Sequence, residues 1–309
     1  MSTAGVKAKV RVGDLVFSKA ASFAGVGILI TLAAVAVFLF IQGIPALDPN
    51  ADFAGKAEDP LSYVAPYVFG TLYGSVIALL IATPLAIGIA LYISHFAPRR
   101  FSQTLGYVID LLAAIPSVVY GLWGILVLAP FLNPTYVWLN ENLGWIPLFA
   151  GQVSATGRTM LTVGIVLAIM VLPIMAALIR EVFLQTPRLH EEAALALGAT
   201  RWEMIKMAVL PFGRPGISSA MMLGLGRALG ETMAVALVLS PASIISFALL
   251  TSQNSNTIAA NIALDFPESG GDYRSLLIAT GLMLFFITMV INMLARYIIS
   301  RRAEFSGAN

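Results

Sequence analysis

Gly216-Ile217-Ser218-Ser219-Ala220-Met221-Met222-Leu223-Gly224-Leu225-Gly226-Arg227-Ala228-Leu229-Gly230-Glu231-Thr232-Met233-Ala234-Val235-Ala236-Leu237-Val238-Leu239-Ser240 is an apolar run broken by one arginine and one glutamate. It is long enough to cross a bilayer as a helix. Ionisable groups at mid-bilayer depth are costly, so they face a bundle interior or a water-filled path. A spacing of four puts Arg227 and Glu231 on one helical face, within reach of each other. The small residues Gly216, Ala220, Gly224, Ala228, Thr232, Ala236 and Ser240 recur every fourth position, and Gly226, Gly230 and Ala234 form a second row. Such rows let helix backbones approach closely in lipid. The pair is therefore expected to point at protein or at a cavity, and function is to be sought there.

Working outward, the whole chain has the same character. Of 309 residues, 59% are hydrophobic and 11% charged, and the mean hydropathy is +0.88. Soluble domains carry about 25% charged residues, so a water-soluble fold is excluded and an all-α polytopic membrane bundle is expected. A net charge of +2 gives no electrostatic support for a nucleic-acid partner. With no cysteine, disulfides and cysteine-ligated metals are ruled out. The two histidines, His95 and His190, read as ordinary loop residues, and no catalytic or metal-binding set is expected.

Six spans are predicted: Ala20–Ile41, Tyr67–Phe96, Leu105–Ala129, Thr159–Ile179, Gly216–Ser240 and Ser275–Ile299. The first is too long for a signal-peptide core and no Ala-x-Ala site follows it. Lys7, Lys9, Arg11 and Lys19 place the N-terminus in the cytoplasm by the positive-inside rule. Alternation then puts 14 of the 18 basic residues inside, leaving Lys56, Arg158 and Arg274 in outer loops and Arg227 within a span. Both termini are cytoplasmic on this reading. Pro84, Pro116 and Pro173 interrupt three spans. The segment Phe131–Gly157, with Trp138 and Trp145, is expected at the membrane interface, where tryptophan is enriched.

The longest cytoplasmic segment, Arg180 to Gly213, carries Glu191-Glu192-Ala193-Ala194-Leu195-Ala196-Leu197-Gly198, then Trp202 and Ile205, then Leu210-Pro211. The first part reads as a short helix with acidic residues in its first turn and Gly198 placed to end it. A helix–glycine–helix hairpin of this kind is shaped to sit in a partner's groove.

These residues carry a specific resemblance. Glu192-Ala193-Ala194, Gly198 and Leu210-Pro211 resemble the EAA signature of ABC importer permeases, with Ala208 where many members have isoleucine. Ala114-Ile115-Pro116-Ser117-Val118-Val119-Tyr120-Gly121-Leu122 and Gly226-Arg227-Ala228-Leu229-Gly230-Glu231-Thr232-Met233-Ala234 look like the phosphate-specific (Pst) permeases, the PstC kind more than PstA. The resemblance runs from about Tyr67 to the end. It implies a type I ABC importer permease (MetI-like) architecture in the bacterial cytoplasmic (inner) membrane. The chain then divides into a tail 1–19, a first span with its outer loop 20–66, a permease unit 67–302 containing the coupling loop 180–213, and a tail 303–309. The implied partners are a PstA-like second permease, two PstB-like ATPase subunits and a PstS-like extracytoplasmic phosphate-binding protein. Glu191, Glu192, Ala193, Ala194, Gly198, Leu210 and Pro211 would couple to the ATPase. Arg227 would meet inorganic phosphate, Glu231 would neutralise it in the empty state, and Thr232 and Ser117 are path candidates by position.

The chain carries no Walker A sequence, since Gly55-Lys56 is followed by Ala57 without the required glycine spacing. ATP and magnesium are thus expected on another subunit, and this chain is expected to hold no cofactor. A permease for sulphate or molybdate fits the hydrophobic pattern equally. A proton-coupled anion transporter could also use an intramembrane Arg–Glu pair, but would not need the hairpin. An intramembrane hydrolase is excluded by the lack of His-Glu-x-x-His and Gly-x-Ser-x-Gly.

Overall fold

The computed structural model describes residues 12–53, 55–56 and 59–303; Lys7, Lys9, Arg11, Glu58 and the tail from 304 lie outside them. The helices are α1 (Val12–Gly43), α2 (Pro60–Leu91), α3 (Arg99–Ala113), α4 (Ser117–Trp123), α5 (Ala129–Leu143) and α6 (Met160–Leu184). They continue as α7 (Arg188–Ala196), α8 (Arg201–Met204), α9 (Leu210–Leu229), α10 (Met233–Val238), α11 (Ile258–Asp265) and α12 (Gly271–Ala303). A two-residue parallel ladder, β1 (Pro241–Ala242) with β2 (Asn254–Ser255), ties the loop after α10. The all-α expectation holds.

Among the described residues, five helical stretches are long and apolar enough to cross a membrane: Gly13–Leu47, Pro60–Phe96, Ser117–Leu143, Met160–Leu184 and Gly271–Tyr297. Four of them match expected spans, with somewhat different ends. The third is displaced from Leu105–Ala129. The chain breaks at Ala114–Pro116, because a proline disfavours helix in the residue before it. The residues upstream form the separate helix α3, which carries Arg100, Gln103, Thr104 and Asp110. The residues downstream join α4 and α5 through the π turn Gly124–Leu128. Phe131–Leu143 is thus helical and continuous with the candidate span Ser117–Leu143. The expected span Gly216–Ser240 is not among the five.

α6 is the axis of the bundle. Val163, Val166, Leu167, Met170, Val171, Met175, Ala176, Ile179 and Phe183 are all buried. Its neighbours approach through glycine: a Cβ at Gly213, Gly216 or Gly224 of α9 would lie 2.4–2.7 Å from Phe183, Val182 or Met175. The first small-residue row therefore packs as expected, and close backbone contact replaces the hydrophobic drive that lipid removes. The second row is split: Gly226 and Gly230 are exposed, while Ala234 is buried. α1 packs mainly on α12, where Gly43 meets Ala279, and leaves most of its apolar surface uncovered.

Candidate functional site

The stretch expected as one helix, Gly216–Ser240, is two. α9 ends at Leu229, with Gly230 at its C-cap, and α10 begins at Met233. The last amides of α9 stretch and tighten, with Gly230 N donating to Gly226 O at 3.4 Å and Glu231 N to Ala228 O at 3.4 Å. The Glu231 carboxylate then accepts from the backbone N–H of Ala234 at 3.1 Å, which caps the new helix. Glycine is a poor helix former and a carboxylate at a helix start satisfies free N–H groups, so Gly230-Glu231 favours a break.

That break corrects the expected ion pair. Arg227 and Glu231 form no salt bridge, so the direct pairing expected of them is not made in this structure. Each charge instead faces the helix end that suits it. Arg227 lies in the last turn of α9, where a cation complements the macrodipole, and Glu231 sits at the start of α10, where an anion does. Glu231 is 8% exposed. Arg227 is partly buried, and its buried Nε has no hydrogen-bond partner. Arg158 completes the device from the segment before α6, its guanidinium donating to Val238 O at 3.4 Å and Leu239 O at 2.8 Å. The six-residue α10 is thus held by an anion at one end and a cation at the other.

Ser117 opens α4, which runs parallel to α10. A Cβ at Gly121 would lie 2.9 Å from Ala234 Cα, and one at Gly124 would lie 2.9 Å from Val238. The first turns of the two helices therefore share a layer, and Ser117 and Thr232 both lie in it, each partly exposed. The Thr232 hydroxyl donates to Gly230 O at 3.2 Å. Arg227 is close enough to Tyr120 of α4 to act on its hydroxyl electrostatically. The structure therefore gathers Arg227, Ser117 and Thr232 around the break, while Glu231 turns into α10.

On the opposite end, the hairpin forms as expected, starting three residues earlier at Arg188. Gly198 adopts φ +88°; its N–H donates to Leu195 O at 3.0 Å and that of Ala199 to Ala194 O at 3.2 Å. This is the Schellman pattern that calls for glycine. Thr200 and Glu203 then form a reciprocal capping box at α8. The Thr200 backbone N–H, followed by its hydroxyl, holds the Glu203 carboxyl below its usual range. Ala194, Met204 and Ile205 anchor the hairpin in the core. Glu192 and Ala193 are exposed, Glu191, Leu210 and Pro211 partly so. Leu189, Leu197 and Trp202 remain exposed, at 77%, 87% and 50%, the pattern of a surface shaped for a partner.

His95 was not legible as more than a loop residue. It lies in the π turn Tyr92–Phe96 that ends α2, and its Nε2 meets Glu191 Oε1 of α7 at 3.3 Å. Two residues far apart in sequence carry no local signal of such a contact.

Comparison with known proteins agrees with this geometry. Residues 82–304 match the family described as binding-protein-dependent transport system inner membrane component. The chain is 45% identical, over 93% of its length and 92% of the relative's, to the phosphate transport system permease protein PstC 2 of Mycobacterium tuberculosis strain ATCC 25618 / H37Rv. It is 39% identical, over 96% of its length and 92% of the relative's, to PstC of Mesorhizobium japonicum. Its fold is similar to a chain of a bacterial alginate ABC transporter solved with an alginate-bound periplasmic protein, with TM-score 0.59, 18% identity and coverage of 92% and 96%. It is also similar to a chain of the inward-facing MetNI methionine ABC transporter, with TM-score 0.52, 14% identity and coverage of 77% and 94%. With its broken charged helix, its glycine-ended hairpin and these relatives, the chain belongs to the binding-protein-dependent transport system inner membrane components, among the PstC-type permeases.

Proposed function

We propose that this chain is the membrane permease subunit through which an ATP-driven importer passes inorganic phosphate into the cytoplasm. The observation that carries the reading is Arg227: a guanidinium with an unpartnered buried Nε at a helix break, in a chain whose relatives are named phosphate transport permeases. Guanidinium stays charged and offers a planar fork matched to two phosphate oxygens. Released from Glu231, it is free to meet an arriving anion, and the dipole of α9 keeps it tolerable when no anion is present.

The remaining assembly follows from the same reading. A PstS-like protein delivers phosphate from outside, a PstA-like chain completes the path against the exposed Gly226–Gly230 face, and two PstB-like subunits bind ATP and magnesium. Closure of those subunits pushes on Glu191–Gly198 and, through α9, reorients the break. Both termini then lie in the cytoplasm.

Labelled phosphate uptake tests this in cells lacking other phosphate importers, with ATP depleted in one arm and the proton gradient collapsed in the other. Uptake that needs ATP and disappears in Arg227→Gln supports the reading. Uptake that follows the proton gradient refutes it, and import of sulphate or molybdate in place of phosphate refutes the substrate.

A further inference from the structure

The inner end of α2 is tied to the hairpin by a chain of side chains. The Ser94 hydroxyl donates to Ala90 O at 2.7 Å, one turn back on its own helix. Ser94 Oγ also meets His95 Nδ1 at 2.7 Å. On the far side of the ring, Nε2 meets Glu191 Oε1 of α7 at 3.3 Å. The ring is thus held between a hydroxyl on its own helix and a carboxyl group on the hairpin. The two side chains are only 10% and 23% exposed. The backbone beneath is fixed as well: Ser102 of α3 donates to Ile93 O at 2.8 Å. The π turn that presents His95 swells the helix where a side chain must be re-aimed, a frequent use of such turns.

α2 runs on to the outer face of the bundle. There Gly70 lies against the Asn256 carbonyl, and Thr71 Oγ1 accepts from Ile258 N at 3.0 Å. The helix that His95 grips at one end therefore meets the outer loops at the other.

We propose that His95, positioned by Ser94, is a latch that makes α2 move as one body with α7. Force applied to the hairpin then reaches the outer loops through α2 directly, in parallel with the route through α6 and α9. His95 touches no substrate; it is a positioning residue for coupling. The proposal rests on the importer reading above.

The test uses the complete transporter in proteoliposomes, with phosphate import and ATP hydrolysis followed together. His95→Ala is expected to lower phosphate moved per ATP by about fivefold, the size of change that loss of one polar contact supports. His95→Arg, which keeps a donor toward Glu191, is expected to restore most of it. Because the chain has no cysteine, His95→Cys with Glu191→Cys can be bridged selectively by a short bifunctional thiol reagent. The bridged transporter should import more per ATP than the same variant unbridged. An unchanged ratio in His95→Ala overturns the latch. So does a bridged transporter that stalls, since the contact would then have to open in each cycle. If the unsubstituted transporter moves no phosphate, the substrate reading fails separately. The latch is then read from the same ratio with the oxyanion that is imported, sulphate or molybdate: a fall of about fivefold in His95→Ala supports it and no fall refutes it.

Discussion

Arg227 and Glu231 stand four residues apart on either side of a helix end: Arg227 lies in the last turn of α9, and Glu231, in the break beyond it, holds the Ala234 amide of α10 at 3.1 Å. Had they been paired, removing either would leave an uncompensated charge, and removing both would relieve it. Unpaired, they should behave as separate sites. A double-mutant cycle with Arg227→Gln and Glu231→Gln, read by thermal unfolding in detergent, is expected to give a coupling energy within about 0.5 kcal/mol of zero. A coupling of several times that would restore the ion pair.

A six-residue helix is too short to persist on its own propensity, so α10 depends on its two ends. Arg158 holds the carbonyls of Val238 and Leu239, and Glu231 holds an amide at the start. Loss of a cap costs about 1 kcal/mol. Arg158→Ala and Glu231→Ala should each speed hydrogen exchange at amides 234–239 by about fivefold, with exchange in α6 unchanged. Equal acceleration throughout the bundle would mean that Arg158 stabilises the fold generally and not α10.

The sequence made the bundle legible because hydropathy over about 20 residues is a property of a window, and no distant contact is needed to produce it. The hairpin was legible for a related reason: Gly198 acts on amides and carbonyls within five residues of itself. The helix break was not, although Gly230-Glu231 carried a hint of it. Spacing-of-four logic assumes a continuous helix, and a carboxylate that caps its own chain is as local as one that pairs with Arg227. α3 was absorbed into a span because Leu105 to Ala113 is apolar enough, yet Asp110 and the proline at 116 argued for separate elements. His95–Glu191 spans 96 residues, and no pattern in one sequence encodes a contact of that range.

Gly198 reports on the hairpin alone. A Cβ there would meet nothing within 4 Å, so any penalty comes from the left-handed backbone, about 1–2 kcal/mol for a residue with a side chain. Gly198→Val should therefore lower ATP-driven uptake with little change in the amount inserted in the membrane. Gly198→Asn should be milder, because asparagine tolerates that conformation. Gly198→Pro should abolish uptake with insertion intact. Equal uptake in the asparagine, valine and proline variants would show that the turn geometry does not matter for coupling.

Two glycines near the break separate packing within the chain from contacts beyond it. Gly121 of α4 lies against α10: a Cβ would come 2.9 Å from Ala234 Cα and 3.0 Å from Leu237 Cδ1. The leucine tip can move, but the backbone of α10 cannot without leaving its caps. Gly121→Ala is expected to cost about 1–3 kcal/mol, seen as a lower unfolding temperature together with reduced uptake. Gly226 of α9 has nothing within 4 Å of its would-be Cβ, and alanine is the better helix former by about 1 kcal/mol. Gly226→Ala should leave the isolated chain as stable or more so. If uptake still falls, the exposed face of α9 meets the second permease or the solute in the assembled transporter. If both stability and uptake are unchanged, that face lies outside the path, and the placement of the partner against Gly226–Gly230 is wrong.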